Sequence, residues 1–313
     1  MKNLTNHHYK NSKTYKKLLK YFKFKMKKNT NLTDIPFLPV RLFKDVELKS
    51  VKENKVIKIL RSSGTTNQRT SKIFLDKKNS QDQSKALNVI IKNLLGQERL
   101  PMLIIDKKPH QKERSNINAK MAAINGFSIF GKDHLFLLNE NNEIGYENLN
   151  IFLKKYHDKK FFIFGFTSLI YQYLIKKIST GYLKHNFKNA ILLHGGGWKK
   201  MEKLKVSNKK FKSLLLKKLG LNQVHNYYGL IEQTGSIFIE CKCGYFVSSV
   251  FSDIIIRDKN FKIVKTRTKG LIQLFSTLAS SYPGHSILTE DIGEIVPDTY
   301  CKCSMKGKKF LVH

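Results

Sequence analysis

Residues 61 to 73 read RSSGTTNQRTSKI, and the reading of this stretch decides the fold. KVIKIL, residues 55 to 60, alternates apolar and polar side chains like a strand and delivers the backbone directly into Ser62. Ser62, Ser63, Gly64, Thr65 and Thr66 place one glycine among four hydroxyls. A turn of that kind can aim consecutive N–H groups and hydroxyls at phosphate oxygens, and Arg61, Arg69 and Lys72 add positive charge nearby. It is not a Walker loop, because no Gly-Lys-Ser or Gly-Lys-Thr follows a first glycine at the required spacing. Alone, the stretch reads equally well as an ordinary polar turn.

Three further segments follow in order. HGGGWKK, His194 to Lys200, comes straight after the apolar run AILL. Gly195, Gly196 and Gly197 would let the backbone approach a flat ligand or take positive φ, with His194 as a pocket residue; the alternative is a flexible strand-to-helix turn. In NYYGLIEQTG, Asn226 to Gly235, Tyr228 could stack on an adenine and Glu232 could hold a Mg²⁺ that bridges triphosphate oxygens. An exposed loop glutamate is the plainer alternative. SYPGHSILTEDIGEI, residues 281 to 295, carries Glu290 and Asp291 just before Gly293, where a carboxylate can accept both hydroxyls of a ribose, or simply turns between strands.

Between these segments LPMLIID, HLFLLNE, KFFIFGF and NAILLHGG read as buried strands, and SLIYQYLIKKI and KSLLLKKLG as helices. SQDQSKALNVIIKNLLG is a further helix, capped at Ser80 or Asp82 and stopped at Gly96. Alternating strands and helices imply an α/β fold with a largely parallel sheet. After residue 236 short strands (SIFIECK, YFVSSVFSDIIIRD, KIVKT, GLIQLFS) predict a β-rich lobe. The expected organisation is a basic N-terminal helical arm at 1–34, with Tyr15, Leu18, Leu19 and Phe22 at helical spacing, an α/β core at 35–235 and the β-rich lobe at 236–313. Pro36 and Pro39 make IPFLPVRLFK extended.

With 313 residues and 41% hydrophobic content the chain can bury a sizeable core. Its net charge of +35 attracts phosphates, nucleic acids and anionic surfaces. Lysine is scattered over the whole length, so the charge points to no specific nucleic-acid site. No long apolar run and no signal-peptide h-region occur, which leads to the expectation of a cytoplasmic protein without a transmembrane segment. Cys241 and Cys243 in IECKCG, with Cys301 and Cys303 in YCKCSMKGKK, could converge as a zinc site, remain reduced thiols, or offer an acyl-accepting thiol.

The ordered set, from IPFLPVRLFK through RSSGTTNQRTSKI, FGFTS (164–168), HGGGWKK and YYGLIEQTG to SYPGHSILTEDIG, resembles the acyl-protein synthetase (LuxE-type) family. These are relatives of the phenylacetate-CoA ligases in the adenylate-forming superfamily. The resemblance implies an adenylate-forming large domain with mixed or parallel sheets and a β-rich C-terminal lobe. It also implies that Ser62, Ser63, Gly64, Thr65 and Thr66 grip the ATP phosphates, with Thr65, Thr66 and Glu232 catalytic. By the same comparison His194 and Gly195 to Gly197 line the adenine pocket, Tyr228 and Gly229 flank adenine and acyl group, Glu232 sits near Mg²⁺, and Asp291 binds ribose.

The implied reaction joins a carboxylic acid, expected to be a fatty acid, to ATP as an acyl-adenylate and then transfers the acyl group to a protein thiol or CoA. Arg61, Lys72, Lys199 and Lys200 are candidates to offset the repulsion between the two anionic reactants. Two features depart from the family pattern. Ile231 stands where the usual YGxTE loop has threonine, and the sequence stops at GKKFLVH without a Gly-Arg hinge and C-terminal lid. A separate lid-bearing subunit would supply the latter. The rival readings are a lid-less, non-catalytic nucleotide- or acyl-binding homologue and a basic nucleic-acid-binding protein supported by charge alone.

Overall fold

The structure is a computed structural model that describes residues 1–25, 30–62, 69–109, 118–179 and 186–313, apart from the side chains of Lys199 and Lys200. The chain forms two compact units: Met1–Ile90 with Ile117–Lys120 and Gly229–His313, and Ile91–Asn116 with Met121–Tyr228. Both are discontinuous in sequence, unlike the three consecutive segments expected.

The first unit opens with α1 (Lys2–Asn11) and α2 (Lys13–Tyr21). Ser12 joins them and caps α2, its hydroxyl accepting the Tyr15 N–H at 3.3 Å. Of the four residues expected on one helical face, Tyr15 and Leu19 are buried and Leu18 is half-buried, while Phe22 lies just past the end of α2 and is exposed. Leu38 and Pro39 form β1, extended as the prolines require, and a short helix α3 (Leu42–Asp45) follows. β2 (Val56–Arg61) and β3 (Lys72–Asp76) pair antiparallel with Arg61 opposite Lys72, at the two ends of the stretch expected to grip phosphate. The next helix, α4 (Lys77–Leu95), starts before Ser80, the cap expected from sequence. Asp76, the last residue of β3, accepts the Asn79 N–H at 2.8 Å and starts the helix with no intervening loop.

The second unit contains β4 (Leu100–Lys107), most of α5 (Ala119–Ser128), β5 (Gly131–Leu138), α6 (Tyr146–Tyr156), β6 (Phe161–Phe166), α7 (Thr167–Ile170), β7 (Ala190–Gly195), α8 (Asn208–Leu219) and β8 (Gln223–Tyr228). Its strands are all parallel in the order β5-β4-β6-β7-β8. β6 and β7 are buried at every residue, the pattern of strands covered on both faces. Phe161, Ile163, Leu192, Phe211 and Leu215 anchor the core of this unit. Ser207 caps α8 and Gly220 ends it in the left-handed conformation.

The first unit resumes with β9 (Phe238–Glu240), β10 (Phe246–Val247), β11 (Ser252–Arg257), β12 (Gly270–Ser276), β13 (Ser286–Val296) and β14 (Lys309–Val312). These are antiparallel in the order β9-β10-β14-β13-β12-β11, and β1 pairs in parallel with β13. KIVKT is not a strand. Asp258 accepts the Asn260 and Lys262 N–H groups and Phe261 takes φ 62°, which turns the backbone so that only Ile263 bridges back to Arg257.

Candidate active site

In the second unit the motif residues stand at the carboxyl ends of neighbouring parallel strands. The register pairs Gly165 with His194 and Phe166 with Gly195, then His194 with Asn226 and Gly195 with Tyr227. FGFTS, HGGG and NYY therefore end side by side, at the edge where open parallel sheets bind ligands. Thr167 ties two of them together, its Oγ1 lying 2.9 Å from His194 Nδ1 and donating to the Gly195 carbonyl at 3.2 Å. The single hydroxyl proton serves one of these two neighbours at a time. His194 Nε2 is buried with no hydrogen-bond partner among the described residues. Burial first, then the nearby Lys212 and His225, hold the His194 pKa down at about 3, so the ring is neutral.

The three glycines have different reasons to be glycine. A Cβ on Gly195 would collide with the Tyr227 ring, Gly196 takes φ +76°, and Gly197 has open space where a side chain would stand. Tyr227 is the packing member of the aromatic pair, with its ring 5.1 Å from Phe127 and stacked 6.4 Å from Phe164. Strand alternation directs the half-buried Tyr228 to the other face. The helix expected after FGFTS opens into a wide π-type turn at Tyr171–Lys177, whose Tyr171 meets Trp198 of HGGGWKK at 4.8 Å. Such turns concentrate at functional sites, and no sequence signal announced this one.

In the first unit Ser62 and Ser71 form a neck at the two ends of the stretch expected to grip phosphate. The Ser62 N–H donates to Ser71 O at 3.2 Å, and the Ser71 N–H donates to Ser62 Oγ at 2.9 Å. Ser63, Gly64, Thr65 and Thr66 lie outside the described residues. Glu232 sits at this neck, 4% exposed, in the 3₁₀ turn Ile231–Gln233 with the Ser71 side chain beside it. Burial pushes its carboxyl pKa up, while Ser71, its own backbone N–H and Lys44 pull the other way. The plainer reading of Glu232 as an exposed loop residue is overturned.

Gln233 fastens this turn to SYPGHS, its Nε2 donating to Gly284 O at 2.8 Å and to Leu274 O at 3.2 Å. Gly284 has no room for a Cβ against the Glu232 carbonyl, and Gly235 takes φ +84° against Gln83. Tyr282, Ser71, Gln83 and Ser236 are all buried around this turn, with Ser71 beside Glu232, Gln83 beside Tyr282, and Ser236 Oγ without a hydrogen-bond partner among the described residues. Burial, and then the charge of Glu232, push the Tyr282 phenol up. Gly229, by contrast, is exposed and packs on Ile237.

Asp291 lies in β13 at a bulge. Leu271 pairs with Ile292 and Gln273 with Leu288, so Thr289, Glu290 and Asp291 together oppose the single residue Ile272. The Asp291 N–H donates to Thr289 Oγ1 at 3.2 Å, which holds the bulge and re-aims the aspartate. The cysteines also converge: all four Sγ atoms lie within 4.8 Å of one another.

The sequence model of the family described as "Acyl-protein synthetase, LuxE" matches residues 1–313. No curated protein matches the sequence. Among solved structures, ATP-bound MatB from Rhodopseudomonas palustris is similar at TM-score 0.54 and 13% identity, over 83% of this chain and 48% of that one. An open conformation of 2-hydroxyisobutyryl-CoA ligase with 2-HIB-AMP and CoA gives TM-score 0.69 at 11% identity, over 94% of this chain and 68% of that one. The same ligase in its postadenylation state with 2-HIB-AMP gives 0.70 at 10% identity, over 94% and 61%. The chain thus spans about half of MatB and under 70% of the second ligase. These likenesses establish the fold, which is the adenylate-forming fold expected from the sequence. Matched over its whole length, the chain belongs to the LuxE acyl-protein synthetase family.

Proposed function

We propose that the protein activates a carboxylic acid, a fatty acid in our reading, with ATP as an acyl-adenylate, and passes the acyl group to a protein thiol or CoA. The observation that carries this reading is Glu232, a buried carboxylate held at the neck of the phosphate-loop stretch beside Ser71. Family membership supports the class of reaction, and solved ligases of the same fold are bound to ATP, to 2-HIB-AMP and to CoA.

In the reaction a carboxylate oxygen bonds to the α-phosphorus while the bond to pyrophosphate breaks, and the electron pair leaves with pyrophosphate. Two anions must meet, so positioning and N–H donors carry most of the catalysis. Ser62 fixes the loop neck, and Ser63 to Thr66 would present donors to the phosphates. Gly196 and Gly197 leave the backbone open to a flat base, Tyr228 offers a ring face, and the two oxygens of Asp291 suit the paired hydroxyls of ribose. Thr167 and His194 hold the turn that begins at Gly195.

The residues at the neck fit a magnesium ion: the Glu232 carboxylate and the Ser71 hydroxyl beside it are both hard oxygen donors. Bound there, the ion would neutralise triphosphate charge. The test is ATP–pyrophosphate exchange that depends on added acid. Exchange that appears with aliphatic acids and disappears in Glu232→Gln supports the proposal; ATP binding without exchange for any acid reduces the protein to a binding homologue.

A further inference from the structure

The fold gathers all four of the chain's cysteines in one place. Cys241 and Cys243 occupy the turn between β9 and β10. There the Cys241 N–H donates to Tyr245 O at 2.8 Å, the Gly244 N–H to Cys241 O at 2.9 Å, and Gly244 takes φ +86°. Cys301 and Cys303 occupy the lead-in to β14, closed at one end by the Cys301 N–H donating to Asp298 O at 3.0 Å. At its other end Gly307 takes φ +126°, where a Cβ would collide with the Ser248 carbonyl. Pairing of β10 with β14 then brings the two turns together.

The dimensions are those of a tetrahedral thiolate site. Cys241 Sγ lies 3.6 Å from Cys301 Sγ, which lies 3.1 Å from Cys303 Sγ. Four thiolates about 2.3 Å from a zinc ion stand roughly 3.8 Å apart. Hydrophobic burial does not account for the arrangement. The local cluster holds only Cys241, Val247 and Cys301 as buried members, a small core for ordering two turns, and Cys243 is exposed yet still joins the group. An exposed thiol gathered with three others is explained by a shared ligand. Soft thiolates select zinc over magnesium or calcium, and four protein ligands leave no open position for catalysis.

We propose that Cys241, Cys243, Cys301 and Cys303 hold a structural zinc ion that staples the β9–β10 turn to the lead-in of β14. On binding, the four thiols release their protons to solvent and form four Zn–S bonds, with no change of oxidation state. The neighbouring Lys242, Lys302 and Lys306, all exposed, offset the net negative charge of the tetrathiolate.

The test uses the wild-type protein purified under reducing conditions with zinc present. About one zinc per chain is expected. A disulfide reagent should meet protected thiols until a strong chelator is added, and all four should then titrate. Replacement by Co²⁺ should give the visible d–d bands of a tetrahedral thiolate. Cys243→Ser should lose zinc readily and melt lower, whereas loss of an exposed, unliganded thiol would leave melting unchanged. Folded wild-type protein that is free of metal and whose Cys243 reacts at once, or one that carries iron instead, would overturn the proposal.

Discussion

Glu232 and the three glycines show what single residues decide. A buried carboxylate costs folding energy, so Glu232→Gln should leave the melting temperature unchanged or higher. Acid-dependent pyrophosphate exchange should fall about 10²–10³-fold, the usual loss when a preorganised charge-stabilising group is removed. Calorimetry and exchange measured together separate those effects. Gly195→Ala must push the Tyr227 ring aside and should cost about 1–3 kcal/mol in chemical denaturation. Gly197→Ala meets open space and should be neutral within about 0.5 kcal/mol, so any ATP affinity it loses reports close ligand approach. The residue types at these positions were legible in the sequence, but their reasons were not. Glu232 is buried by SYPGHS some fifty residues downstream, and Gly195 is constrained by a ring on the next strand.

Elements were legible where one period governed them. LPMLIID, FFIFGF and AILLHG read as strands because both of their faces are covered, and α2 read as a helix because one of its faces is. The π-type turn and the bulge at Thr289–Asp291 left no periodic trace, since each departs from the local pattern. The docking of α1 was equally hidden. His8 bonds Ser50 Oγ at 2.8 Å and Ala279 O at 2.9 Å, while His285 of SYPGHS bonds Thr5 Oγ1 at 2.9 Å and its ring lies 4.9 Å from that of His8. Burial, then His7, lowers the His8 pKa to about 3; burial, then His8, the terminal amine and His7, holds His285 well below its ordinary value. Tyr15 also faces the pair.

Unfolded histidines bind protons below about pH 6.5, whereas these do so only far lower. Their contribution to stability is therefore complete above about pH 6.5 and is lost as pH falls from there towards 3. Melting temperature against pH should drop over that window, and His8→Asn should flatten the slope. An equal slope in the variant would contradict the account of the helix dock.

Over the whole molecule, the order of motifs was the legible part and the division into units was not. The chain crosses from one unit to the other between Tyr228 and Gly229, inside a single motif, because compactness follows contacts in space and the motif follows sequence. Ser62, Gly229, Glu232 and Asp291 belong to one unit, and His194, Gly195 to Gly197 and Tyr228 to the other. Among the described residues no helix is long and apolar enough to cross a membrane. If zinc holds all four thiols, the acyl acceptor is another molecule. Incubation with labelled acid and ATP should then leave no hydroxylamine-sensitive thioester on this chain, and a stable label on any of its cysteines would contradict that.

The central claim is that an acid attacks the α-phosphate of ATP. The most direct measurement supplies the acid with oxygen-18 in its carboxylate, together with ATP and a thiol acceptor, and weighs the nucleotide product. Attack on the α-phosphate transfers one labelled oxygen into AMP. Label found in inorganic phosphate with ADP, or in no phosphorus product although acid and ATP are consumed, would contradict the account.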